Sequence, residues 1–209
     1  EQLHLPVPVL QQLALQPRGL VLVTGATGNG KSTTVASMLD YINHHACRHI
    51  ITLEDPIEFI FEEEQSIINQ REIGSDTHSF SEALRNVLRQ SPDVIYISDI
   101  RDLETVSSAI TAAEAGNLVL SCLHTINAVN TIERLVTFFP THQQTQVRLR
   151  LSLILQGIVS LRLVPCVDEQ SRVPACEALV ATPTIRELIR DGRTGELATY
   201  MEDGGMFGM

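Results

Sequence analysis

No stretch of this 209-residue sequence approaches the ~20 consecutive apolar residues that a membrane-spanning helix needs. The opening residues Glu1 to His4 have no signal-peptide layout either, so no direct membrane insertion is expected. Cysteine is scarce: Cys47, Cys122, Cys166 and Cys176 form no C-x-x-C pair and are too few for a disulfide framework. A reduced, cytosolic protein is the default expectation. Positive charge is the minority sign, with 15 Lys+Arg against 25 Asp+Glu and a net charge of -10. A surface that grips nucleic acid usually has the opposite balance, so no nucleic-acid partner is expected and any phosphate must be held by a specific loop. At 44% hydrophobic and 19% charged residues the chain is too apolar for intrinsic disorder. It carries no internal repeat and is long enough for one substantial domain. It opens on Glu1 and stops after Gly204 to Met209, so it reads as a domain excised from something longer.

What is present is an alternation of strand-length apolar runs with helix-period segments, the pattern of a mostly parallel sheet flanked by helices. Gly19–Thr24, His49–Leu53, Val94–Ser98 and Leu118–Leu123 read as buried strands. Between them, Val35, Met38, Leu39 and Ile42 share one helical face, as do Phe80, Leu84, Val87 and Leu88, and Leu103, Val106, Ile110 and Ala113. Ser79 with Glu82 fits a capping box. Beyond Pro140 the character changes. Thr141 with Gln144 is expected to cap a helix reaching about Leu155, and Val159–Val164 and Val173–Val180 to form a hairpin turning at Asp168–Arg172. Thr182-Pro183 then starts a helix over Ile185–Ile189. The expected architecture is an α/β core over residues 1–165 with a C-terminal hairpin and helical appendage of the same domain over 166–209.

The strongest chemical signal is Gly25-Ala26-Thr27-Gly28-Asn29-Gly30-Lys31-Ser32, a full match to G-x-x-x-x-G-K-[ST] between a strand and a helix. Its glycines allow the φ values that aim successive backbone N–H groups at a polyphosphate. Lys31 supplies a point charge for the β- and γ-phosphates and Ser32 a hydroxyl for Mg²⁺. The following helix adds the positive end of its dipole, over residues reaching Thr33. A chance match has odds on the order of one in a hundred at this length. ATP is favoured over GTP because no N-K-x-D guanine-reading motif is present.

Hydrolysis also needs carboxylates to orient or deprotonate water and to fix Mg²⁺. In such sheets ligands sit at the carboxyl ends of the strands. Glu54-Asp55-Pro56-Ile57-Glu58 leaves the second strand there, Asp99 ends the third, and His124 ends the fourth as a candidate γ-phosphate sensor.

These residues resemble the type IV pilus and type II secretion ATPases, in particular their PilT/PilU-like retraction branch, over nearly the whole chain from Leu10 onwards. Gly25–Thr34 is similar to the family's Walker A, Thr52–Glu58 to its Asp box, Ser98–Asp102 to its Walker B, and Ala115–Leu118 with Leu123–Thr125 to its His box. Thr184–Arg190 resembles the C-terminal signature associated with retraction. Ser66–Glu72 and Phe138–Pro140 lean towards the PilU-like paralogue. The resemblance implies a RecA-like P-loop NTPase core that binds ATP and Mg²⁺. It makes Glu58 the catalytic base, with Asp99 and His124 in catalytic roles. Gly25, Thr27, Gly28, Asn29, Gly30, Lys31, Ser32 and Thr33 would hold the nucleotide, and Ser32 with Asp99 (through water) the metal. It further implies a homohexamer coupling ATP turnover to pilus disassembly and twitching motility. That ring would sit in the cytoplasm, peripheral to the inner membrane, with a pilus platform protein and a paralogous retraction ATPase as partners.

Two departures stand out. The family's Walker B position normally carries Glu where this chain has Asp99, and its His box a His where this chain has Asn117. Both point to slower turnover and to an alternative, an accessory PilU-like subunit assisting a partner motor. The family's PAS-like N-terminal domain is absent from this chain, and it carries arginines that would complete the site. Such an arginine is worth ~10³–10⁵ in rate in P-loop enzymes. A secretion or pilus-assembly ATPase is disfavoured by the retraction signature and by the lack of a tetracysteine zinc insertion. Elsewhere, His44, His45 and His49 are a weak metal candidate, Cys166 and Cys176 could face each other across the hairpin, and Arg186 and Arg190 could form an exposed docking face.

Overall fold

The computed structural model describes residues 5–165, 172–202 and 204–207. Its centre is one seven-stranded sheet in the order β3-β2-β4-β5-β1-β6-β7. The strands are β1 (Gly19–Thr24), β2 (His49–Glu54), β3 (Ile67–Glu72), β4 (Val94–Ile97), β5 (Leu118–Leu123), β6 (Leu155–Pro165) and β7 (Arg172–Val180). Every pairing is parallel except β6 with β7.

Alternation along each strand sends side chains to two cores. Leu20, Leu22, Ile95 and Ile97 point to one face. Val21, Val23, Val94 and Tyr96 point to the other. Because both faces are covered, these strands read as unbroken apolar runs. The second face is packed by α1 (Val7–Ala14) and α2 (Lys31–His45). The first is packed by α3 (Phe80–Val87), α4 (Leu103–Glu114), α5 (Ala128–Thr137), α6 (Thr141–Ile154), α7 (Pro183–Arg190) and α8 (Leu197–Glu202). Each fully buried leucine or isoleucine contributes ~1.5–3 kcal/mol. No helix among the described residues is long and apolar enough to cross a membrane.

Caps follow local chemistry. Ser79, Asp102, Asn127 and Thr182 each accept a hydrogen bond from the backbone N–H three residues on, which starts α3, α4, α5 and α7. The expected Thr141 cap is not made. Thr141 is the first residue of α6, and Pro140 holds the cap position with no side-chain bond. α6 passes into β6 with no loop, as Leu155 turns to extended backbone, so the strand begins four residues before the expected Val159. β7 is an edge strand of the main sheet, and Ile185, Leu188, Ile189 and Leu197 are buried in the main core.

α1 and β3 were not foreseen. α1 lies close against β6 because Gly157 has no side chain: a Cβ there would come within 2.8 Å of the Leu13 methyls. β3 is a polar edge strand, Ile-Ile-Asn-Gln-Arg-Glu, without the apolar run of its neighbours.

Candidate functional site

The phosphate loop leaves the carboxyl end of β1 and enters α2. Gly25 has φ +146, and a Cβ on it would sit 2.4 Å from the Leu161 carbonyl of β6, so only glycine fits. Its N–H donates to Leu123 O. The Asn29 side chain turns away from the loop's mouth, donating to Leu161 O at 3.0 Å and accepting from Leu163 N–H at 3.5 Å. Gly25 and Asn29 thus tie the loop to β5 and β6. The Lys31 ammonium is buried and donates to Gly25 O at 3.0 Å and Ala26 O at 3.2 Å.

A cleft of about 510 Å³ opens beside the loop. Thr27, Gly28, Gly30, Lys31, Ser32 and Thr33 line it from the loop side, and Glu58, Asp99 and His124 from the opposite strand ends. The sequence-predicted residues therefore converge, except Gly25 and Asn29, which do not line it.

Strand order explains the convergence. β5 lies between β4 and β1, so the residue leaving β5 stands between those leaving its neighbours. His124 Nδ1 is 3.4 Å from Lys31 Nζ, and His124 Nε2 is 3.4 Å from Asp99 Oδ2. An ammonium only donates, so Nδ1 is the acceptor in the first contact, and Nε2 faces Asp99. Asp99 Oδ2 also accepts from Arg101 Nε at 2.7 Å. Asp99 Oδ1 and Ser98 Oγ are buried with no hydrogen-bond partner. Unpaired buried oxygen is costly, and an oxygen-seeking cation or its water satisfies it.

Of the remaining lining, Glu54 and Asp55 belong to the carboxylate cluster expected beyond β2, whereas Tyr96, Arg101 and Cys122 had been given no role. Glu54 is buried and accepts from Thr52 Oγ1 at 2.7 Å and Gln70 Nε2 at 3.1 Å. Glu58 is exposed on the loop beyond β2. Arg101 reaches Asp55 Oδ2 at 3.2 Å. Tyr96 and Cys122, which read as core positions, meet on adjacent strands under the cleft, with Tyr96 Oη 3.9 Å from Cys122 Sγ. Burial, then Cys122 beside it, raises the Tyr96 phenol above its ordinary range. Burial pushes the Cys122 thiol up to about 12. Arg101 was legible in principle, two residues beyond Asp99 in the Walker B stretch.

Other expectations change. Asn117 precedes β5, at the amino end of the strand and so at the opposite sheet edge from His124. Its side chain donates to Pro92 O and it does not line the cleft. Its difference from the family pattern therefore gives no reason for slower chemistry at the phosphates. Arg186 is half-buried rather than displayed for docking: it donates to Ser152 O at 2.8 Å, Leu153 O at 3.1 Å and Gln156 Oε1 at 3.1 Å. Arg190 is exposed and pairs with Asp191 at 2.8 Å. No group of three or more metal-ligating side chains is found among the described residues, and the rings of His44 and His45 each bond the carbonyl four residues back. Cys176 is opposite Leu161 in the hairpin register, while Cys166 lies outside the described residues.

Residues 7–201 match the family model described as type II/IV secretion system protein. The chain is 48% identical over 201 residues to the type IV pilus retractation ATPase PilT of Pseudomonas aeruginosa, covering 96% of this chain and 58% of that protein. It is 46% identical over 209 residues to the type IV pilus ATPase PilU of the same organism, covering 100% of this chain and 54% of that one. A crystal structure of the pilus retraction motor PilT with bound ADP superposes with a TM-score of 0.92 at 53% identity, covering 96% of this chain and 58% of that one. The chain thus spans little more than half the length of these relatives. The phosphate loop, the strand-end carboxylates and a match over nearly all the described residues lead to one assignment: this chain belongs to the type II/IV secretion system protein family.

Proposed function

We propose that this chain is the ATP-binding and hydrolysing motor domain of a type IV pilus retraction ATPase. The observation that carries the reading is the relay Lys31–His124–Asp99 across the mouth of a complete phosphate loop, in a chain 48% identical to a PilT. The loop's backbone N–H groups and Lys31 hold the polyphosphate, with Lys31 exchanging its two loop carbonyls for phosphate oxygens. Ser32 and Asp99 fit Mg²⁺, Asp99 through water, and the unpaired Oδ1 of Asp99 supports that fit. When bound, the ion neutralises charge on the β- and γ-phosphates. Glu58 accepts the proton of the water that attacks the γ-phosphorus as the bond to ADP breaks. His124, between Lys31 and Asp99, couples the two. Residues 1–165 form the ATPase core in this reading and 166–209 its hairpin and helical appendage.

For the whole protein the reading extends to a homohexamer acting in pilus disassembly at the cytoplasmic side of the inner membrane. There it works with a platform protein and a paralogous retraction ATPase. Glu58→Gln should abolish hydrolysis and spare ATP binding; retained turnover refutes Glu58 as the base. Asp99, one methylene shorter than the family's Glu, favours a second reading as a slow accessory subunit. A large rise in turnover on Asp99→Glu would support that second reading over the autonomous motor.

A further inference from the structure

Arg101 has no part in the phosphate-loop chemistry, yet it touches both carboxylate-bearing strand ends of the cleft. Its Nε donates to Asp99 Oδ2 at 2.7 Å and its Nη1 to Asp55 Oδ2 at 3.2 Å. Asp99 leaves β4 and Asp55 leaves β2, so one planar guanidinium spans two adjacent strands. The two ends differ in environment. The Asp99 side chain is 9% exposed and the Asp55 side chain 41%. Arg101 itself is 59% exposed, so both contacts are partly screened, the inner one less than the outer.

This contact sets the plane of the Asp99 carboxylate. With Oδ2 engaged by Arg101 and near His124, Oδ1 is left buried and unpartnered. The two oxygens of the carboxylate are equivalent, so what the contact can restrict is the turning of the carboxylate plane about the Cβ–Cγ bond. Arg101 gives one hydrogen bond to Asp99 and one to Asp55, so its planar group ties the Asp99 carboxylate to the end of β2. Charge balance points the same way. The cleft is lined by four carboxylates, Glu54, Asp55, Glu58 and Asp99, against two permanent cations, Lys31 and Arg101. Lys31 belongs to the phosphate loop, so Arg101 is the cation that offsets the carboxylates among themselves.

We propose that Arg101 is a positioning residue that locks the rotation of Asp99 through its bridge to Asp55, presenting Oδ1 to the hydrated magnesium ion of the bound nucleotide. The inference rests on the ATPase reading above. Arg101 itself touches neither the nucleotide nor the reacting atoms.

The test is a fluorescence titration of a labelled ATP analogue into the full chain, run in EDTA and across a Mg²⁺ series. Variants are Arg101→Ala, Arg101→Lys and Asp55→Asn. Groups that orient metal ligands are worth roughly 10–100-fold in metal affinity, so Arg101→Ala should raise the half-saturating Mg²⁺ concentration by at least about tenfold and leave binding in EDTA unchanged. Arg101→Lys, which cannot bridge both carboxylates, should recover part of the shift. Asp55→Asn should move in the same direction by less. An unchanged Mg²⁺ dependence in a folded Arg101→Ala protein overturns the proposal. So does an equal loss of affinity with and without Mg²⁺, which would make Arg101 a direct phosphate ligand. Absence of any nucleotide binding by the unmodified chain would overturn the ATPase reading and this inference with it.

Discussion

Replacing Arg186 by alanine separates two roles for the signature helix α7. If Arg186 served only to dock a partner, its loss would leave the fold untouched. In the structure its guanidinium donates to the carbonyls of Ser152 and Leu153 and to the side chain of Gln156. The two carbonyls belong to the last turn of α6, where no intrahelical N–H reaches them. A hydrogen bond to a charged group contributes ~1.5–3 kcal/mol when well desolvated. A cation at an exposed helix C-terminus contributes ~0.3–1 kcal/mol. Arg186 is half-buried, and burial lowers its pKa without discharging it, so the loss should fall between these limits, at about 2 kcal/mol. For a chain of this size that corresponds to a fall in Tm of ~4–8 °C. The assay is thermal or urea unfolding of Arg186→Ala beside Arg186→Lys and Arg190→Ala. Lysine should restore less than half of the loss because it lacks the fork. Arg190→Ala should have almost no effect, since its contacts are exposed ion pairs. An Arg186→Ala protein that melts with the unmodified chain would refute the capping role and return Arg186 to a docking one. An equal cost for Arg190→Ala would refute the assignment of stability to the α6 terminus.

Two further outcomes follow from the geometry. Asn117→His should leave steady-state ATP turnover unchanged, because position 117 is at the far end of β5 from the cleft; a several-fold rise would show that the amino edge of the sheet communicates with the site. Cys122 should resist thiol reagents at pH 8 in the folded chain, while exposed Cys47 reacts, because burial pushes the Cys122 thiol from 9.0 up to about 12. The sign is that of a group kept neutral by the fold: its stabilisation is complete below pH 9.0 and is lost as pH rises through about 12. Rapid labelling of native Cys122 at pH 8 would contradict this.

Much of the molecule was legible in the sequence because the relevant physics is local. β1, β2, β4 and β5 are covered on both faces, so each carries a continuous apolar run between turn residues. The phosphate loop is a contiguous eight-residue device whose glycines, lysine and serine reveal its chemistry without any partner. Ser79 and Thr182 cap their helices through bonds to residues three positions on. Elements whose stability comes from elsewhere were not legible. β3 is polar because it lies at the sheet edge, and α1 is held by its fit against Gly157, which is 150 residues from Val7 in the chain.

The site divides along the same line. The sequence alone determined the candidates for holding and cleaving a polyphosphate: Lys31 and Ser32 at the start of α2, and Glu58, Asp99 and His124 beyond strand ends, are the right chemical types in the right kind of place. Only the tertiary structure decided what each of them touches. Strand order puts β5 between β4 and β1, and so puts His124 between Asp99 and Lys31. It takes Asn29 out of the cleft to pin the loop on β6, and sends Asn117 to the opposite edge. It turns Arg186 inward onto α6 and sets Arg101 across Asp99 and Asp55. The reason is that residue type and local spacing set chemistry and periodicity, whereas hydrogen-bond partners far apart in the chain are chosen only when the sheet has assembled and burial makes an unpaired polar group costly.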